Sequence, residues 1–177
     1  VVQTDPINDL AIIRTCGSFP SFAYFRNRDS RLEEGELIAA YGYPLPSLTW
    51  LKPRITDGII SALSGLGNDT TTLQHTASLQ SGNSGGRLLD LMGNIVGVNV
   101  SVYDPDQVDV PKEKRGPSTQ NMNFAIKADL VRNFLEANGI ASSEATALEG
   151  DLLRYKEVRK IADKFTMAIF CYGKKTK

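Results

Sequence analysis

Between Leu10 and Ile126 the chain is cut into short apolar runs, each closed by turn-forming residues. That pattern points to an all-β sandwich or barrel. Leu10-Ala11-Ile12-Ile13 follows the polar turn Asp5-Pro6-Ile7-Asn8-Asp9. Glu36 to Tyr41 is a second run, closed by Gly42-Tyr43-Pro44. Arg54 to Ser64 is a third, rich in Ile, and Gly65 to Asp69 is a turn by composition. Thr70 to Ala77 is a fourth. Leu88 to Met92 and Ile95 to Val100 flank Gly93-Asn94, a strong hairpin signal. Tyr103 to Thr119 is long, polar and Pro-containing, and reads as a surface loop. Met122 to Ile126 is one more strand.

After Ile126 the period changes. Leu130, Val131, Phe134 and Leu135 recur at helical spacing, and Asn138-Gly139 stops the helix. Ala141 to Glu149 is small and polar and reads as a linker. Asp151 is a candidate cap for a second helix whose face carries Leu152, Tyr155, Val158, Ala162 and Phe165. Thr166 to Tyr172 is apolar enough for a final strand that adds a sheet edge.

Charge and composition exclude several functions. Twenty Lys+Arg balance twenty Asp+Glu, giving a net charge of zero, which argues against a general nucleic-acid binder or a polybasic membrane binder. No apolar run approaches the roughly 18–20 residues that span a bilayer. Two cysteines and one histidine exclude a four-cysteine zinc site and a histidine-rich centre. Neither a metal nor an organic cofactor is expected. Cys16 and Cys171 could form one disulfide or remain two free thiols. The chain opens on Val1-Val2-Gln3, already strand-like and without Met, which suggests a processed form or a piece of something longer.

The chemistry is concentrated in Gln80-Ser81-Gly82-Asn83-Ser84-Gly85-Gly86-Arg87. A serine nucleophile needs an exposed hydroxyl on a tight turn and backbone N–H groups aimed at the developing oxyanion. Glycines on both sides permit the dihedrals and the close substrate approach that such a turn demands. On these residues alone, a glycine-rich hairpin loop without chemistry is equally acceptable.

Gly82-Asn83-Ser84-Gly85-Gly86 resembles the nucleophile motif of trypsin-like, chymotrypsin-fold serine peptidases, and its Asn resembles the bacterial HtrA/Deg branch. Four further segments agree in order. Asn8-Asp9-Leu10-Ala11-Ile12-Ile13 resembles the strand that brings the triad aspartate. Ala40-Tyr41-Gly42-Tyr43-Pro44 looks like the turn closing the first barrel, and Ile55 to Leu63 looks like the first strand of the second. Asn121-Met122-Asn123-Phe124-Ala125-Ile126 resembles the strand beside the specificity pocket. The resemblance implies a double β-barrel, with residues 1–53 a remnant of the first, 54–140 the complete second barrel and its helix, and 141–177 a linker and helix-strand tail.

The family's roles fall on matching positions. Ser84 would be the nucleophile and Asp9 would orient the histidine. The oxyanion loop would be Gly82, Asn83 and Ser84, with the N–H groups of Gly82 and Ser84 as donors. Ser78 would sit near the base of the primary pocket and, not being acidic, would favour a small or aliphatic residue. Asn123, Phe124 and Ala125 would form one wall and pair with the substrate backbone. The substrate would be a polypeptide, and a periplasmic or exported location is a family-level expectation. The oligomeric state is open.

Three departures stand out. No histidine precedes Asp9, and the single one, His75, lies nine residues before Ser84 on a strand that carries no base in the family. Its ordinary reading is a partly exposed polar residue or a contact of the specificity lobe. The catalytic histidine is therefore expected upstream, and this chain alone is expected to be inactive. Arg87 stands where these enzymes usually have Pro. The residues after 140 are too few for a PDZ module. The alternative reading is a non-catalytic, peptide-binding pseudo-peptidase that captures extended strands by β-augmentation.

Overall fold

Alternate residues of the strand Leu37–Gly42 are buried on opposite sides. Ile38 and Ala40 enter one apolar cluster and Ala39 and Tyr41 another, as the two-residue period of a strand requires. The strand thus has no solvent face. The computed structural model that shows this describes residues 1–16, 21–44, 52–102, 122–145 and 152–170. The Tyr103 to Thr119 loop and Cys171 lie outside the described residues, as does the candidate cap Asp151.

The elements are β1 (Gln3–Asp5), β2 (Leu10–Ile12), β3 (Leu37–Gly42), β4 (Arg54–Ala62), β5 (Thr72–His75), β6 (Arg87–Asp90), β7 (Ile95–Val102), β8 (Asn123–Lys127), α1 (Ala128–Ala137) and α2 (Tyr155–Ala162). Strands β3 to β8 close into an antiparallel barrel in the order β3-β4-β5-β8-β7-β6. The all-β reading holds. The expected boundary at 53/54 instead falls between two paired strands of one barrel: Ile38 faces Gly58 on β4 and Asp90 on β6. Two burying faces on β3 demand partners on both sides, and those partners lie downstream in sequence.

The barrel interior holds Ile38, Ala40, Ile60, Leu73, Ala77, Leu88, Val96 and Ala125. A second cluster covers the outside, where Ala39, Tyr41 and Leu89 meet Phe25, Ala128, Val158 and Ala162. Helix α2 therefore covers the outer face of the barrel. Val158 and Ala162 lie on the buried face of α2, as their spacing foretells, and Phe165 just beyond the helix is buried too, while Leu152 is exposed and Leu153 packs instead. Glu157 opens this helix by accepting the Arg154 N–H at 2.9 Å, and the Arg154 guanidinium pulls its carboxyl down to about 2. Residues 166–170 form no strand, contrary to expectation, because a closed barrel offers no open edge to join.

The β6–β7 hairpin is where Gly93-Asn94 puts it. Gly93 has φ 84°, and the Asp90 carboxylate accepts the N–H groups of Met92 and Asn94 at 2.9 Å each. Burial raises the Asp90 pKa against the pull of these bonds. The β1–β2 hairpin is a separate two-stranded sheet, with Val1, Val2, Ile7 and Ile13 exposed. On α1, Arg132 is buried and bonds the Arg26 carbonyl at 2.9 Å, Glu144 at 3.0 Å, and Asp129. A cavity of about 240 Å³ there is lined by Arg26, Arg28, Lys127 and Arg132, but three of these cations already hold Glu36, Glu144, Glu136 or Asp129. It shares no lining residue with the nucleophile loop.

Candidate active site

The loop before β6 is built by glycines in the left-handed region: Gly82 has φ 96° and Gly85 φ 80°. L-residues avoid this conformation, so the turn needs glycine at both places. Gly86 is required for space, since a Cβ there would lie 2.6 Å from the Tyr41 carbonyl oxygen and 2.7 Å from that of Asn83. Backbone bonds lock the frame. Asn83 N–H donates to Gln80 at 3.0 Å, Gly86 N–H to Asn83 at 2.8 Å, and Gly85 N–H to Asn99 at 2.8 Å.

Ser84 stands exposed at the tip of this frame. Among the described residues, the N–H groups of Gly82 and Ser84 meet no acceptor. Asn83 is different. Its N–H is already spent on Gln80, and its side chain is buried against Gly42, with Oδ1 unpartnered. It shapes the loop and is no third donor. The Ser84 hydroxyl donates to the Val100 carbonyl at 2.7 Å, so its proton rests on a weak acceptor and not on a base.

Asp9 lies in the β1–β2 turn, exposed and with φ 52°. The turn is capped by Asp5, which accepts the N–H groups of Ile7 and Asn8 at 3.1 and 3.2 Å. Asp9 bonds no described residue, and it does not line the cleft at Ser84. His75 does not take up the missing role. It is fully buried on β5, neither ring nitrogen has a hydrogen-bond partner, and burial drives its pKa down to about 4 while nearby Asn99 opposes weakly. The partly exposed histidine expected from sequence is thus a neutral, interior one. Leu73 and His75 occupy inward positions of the same strand, and this two-residue alternation was the available signal.

Ser78 is exposed, and its carbonyl accepts the Thr56 hydroxyl at 2.8 Å. Asn123 Nδ2 donates to the Ala77 carbonyl at 2.9 Å and so fixes the backbone leading to Ser78. Phe124 and Ala125 are buried in the barrel wall. β8 is paired on both sides, Phe124 with Gln74 and Ser101, Ala125 with Leu73 and Asn99. The expected pairing of residues 123–125 with a substrate backbone is therefore not open to β8, because closure has already used both of its edges.

Sequence reasoning missed what lies on the other side of Ser84. A cleft of about 330 Å³ runs between the glycine loop and residues 166–170 of the tail, with Gly42 and Tyr43 at its base. Arg87, read as a departure, is part of it. Burial lowers its pKa, and its Nη1 donates to Thr166 Oγ1 at 2.8 Å.

The trypsin-like peptidase domain family matches residues 1–98. This chain belongs to that family. Its relatives include the uncharacterized protein y4bJ of Sinorhizobium fredii, 36% identical over 97% of this chain and 26% of that protein. The serine endoprotease DegS of Salmonella typhimurium is 30% identical over 77% of this chain and 36% of its own length. The periplasmic serine endoprotease DegP of the same species is 31% identical over 75% of this chain and 26% of its own. This family member thus resembles the HtrA/Deg type and spans roughly a quarter to a third of the curated relatives it matches.

Proposed function

We propose that Ser84 is the nucleophile of a serine endopeptidase whose base comes from residues upstream of Val1. The observation that carries this reading is an exposed serine flanked by two unengaged N–H groups on a loop whose Asn83, Gly85 and Gly86 amides are locked. Such a preorganised pair of donors is what a tetrahedral oxyanion needs. Ser84 Oγ would attack the substrate carbonyl carbon while a histidine accepts the hydroxyl proton. The oxyanion would settle on Gly82 and Ser84, and the amine would leave with that proton to give an acyl-enzyme. Water would then release the acid by the same path. Asp9 would orient the histidine, and Ser78 would line the primary pocket for a small or aliphatic side chain. The relatives' names support a polypeptide substrate and a periplasmic or exported setting.

Without a base the chain alone should be nearly silent, since loss of one triad member costs about 10⁴-fold or more. Fluorophosphonate labelling tests this. The chain carrying its upstream residues should label, the Ser84→Ala variant should not, and residues 1–177 alone should label at a trace rate. A folded extended chain that fails to label would overturn the reading. The Ser84–Val100 bond favours one second reading, peptide binding without catalysis. Among the described strands, addition in that case would use the β1–β2 hairpin, because the barrel has no edge to offer.

A further inference from the structure

Two features have no part in the chemistry above: Arg87 and the tail beyond α2. They meet. Arg87 donates to Thr166 Oγ1 at 2.8 Å, and its guanidinium carbon stands 4.9 Å over the Phe165 ring. The Tyr43 hydroxyl donates to the Thr166 carbonyl at 3.5 Å, and the Tyr41 hydroxyl bonds Asp163 just before it. The tail is therefore pinned where it leaves the outer apolar cluster. The next residues lie along the cleft, facing Gly82, Ser84 and Gly85.

That wall is apolar and open. Met167 and Ile169 are 42% and 60% exposed, two large apolar side chains left to water beside an exposed serine. The facing wall is mostly glycine, so little blocks a chain that approaches Ser84. Among the described residues the only charged one lining the cleft is Arg87, and its guanidinium is committed to Thr166 and Phe165. None of Ser78, Asn123, Phe124 and Ala125 lines this space.

We propose that residues 166–170 form the outer wall of a second subsite, which takes an apolar side chain of a polypeptide next to the bond presented to Ser84, with Arg87 as the positioning residue that holds the wall in place. The proposal rests on Ser84 being the point where a polypeptide is presented. The occupant follows from continuity, because the apolar wall and the candidate oxyanion donors border the same cleft.

The test needs no catalysis. In a Ser84→Cys variant of this chain, alkylation by iodoacetamide and by N-benzyliodoacetamide is compared thiol by thiol with peptide mass spectrometry. Exposed, free Cys16 serves as the internal reference. The benzyl-to-plain rate ratio at the introduced thiol should exceed that at Cys16 by about tenfold, the factor expected when roughly half a phenyl ring leaves water. Met167→Ser with Ile169→Ser, both at exposed positions, should bring the two ratios to within about twofold. Arg87→Ala, with folding checked by circular dichroism, should do the same. Equal ratios at the start, or a preference that survives the Met167 and Ile169 substitutions, would overturn the proposal. Fluorophosphonate labelling reads catalysis separately, so either reading can fail without the other.

Discussion

The buried histidine makes a quantitative demand on stability. His75 is the only histidine in the chain, fully buried, with both ring nitrogens unpartnered. Its pKa falls from 6.5 to about 4 on folding, chiefly because burial penalises the imidazolium. Between these values the unfolded chain binds the proton and the folded chain does not. Stability is therefore fully present above pH 6.5 and is lost as pH falls toward 4, where the loss levels off. At about 1.4 kcal/mol per pH unit, the interval amounts to about 3 kcal/mol, a large share of the usual 5–15 kcal/mol of a domain. Urea unfolding of the chain and of a His75→Gln variant, at steps from pH 7.5 to 4, isolates the effect. The carboxylates, including buried Asp90, titrate in both proteins and cancel in the difference. His75→Gln carries a constant offset of its own, so only the slope counts. The wild-type advantage should shrink by about 3 kcal/mol across the range. A difference that stays level with pH would refute the account of His75 as a neutral interior residue.

Two further substitutions probe the frame. Gly86→Ala should cost about 2 kcal/mol, because its Cβ would collide with two carbonyl oxygens that cannot move without opening the nucleophile loop; chemical denaturation measures it. Val158→Ala should cost about 2 kcal/mol by emptying a fully buried site under α2, and the loss should appear in the barrel's own unfolding transition. A tail that melts separately, leaving the barrel midpoint unchanged, would contradict that coupling.

The local elements were legible because their signals are local. Gly93-Asn94 marks a turn whatever the rest of the chain does, and Leu130, Val131, Phe134 and Leu135 mark the buried side of α1. The serine loop was legible because glycine is forced there by dihedrals and by space. What failed was long-range. β3 reads as the end of one barrel until its second buried face is seen to need β6, far downstream. Residues 166–170 read as a strand by composition, yet composition says nothing about whether an edge is free. The double pairing of β8 and the meeting of Arg87 with Thr166 are likewise contacts between distant segments, and no spacing rule encodes them.

Ring closure also governs how the molecule can come apart. In an open sheet an outer strand can peel away by breaking one ladder, but here every barrel strand is held by two. Local opening from a margin is not available, so amide protons around the whole circuit should exchange with solvent through a shared, near-global event. The β1–β2 ribbon has three-residue strands and lies in a sheet of its own. It can fray without disturbing the ring. The segment bearing Asp9 therefore belongs to a softer body than the loop bearing Ser84, and a rigid relation between them has to be supplied by whatever packs on the ribbon's exposed apolar side chains.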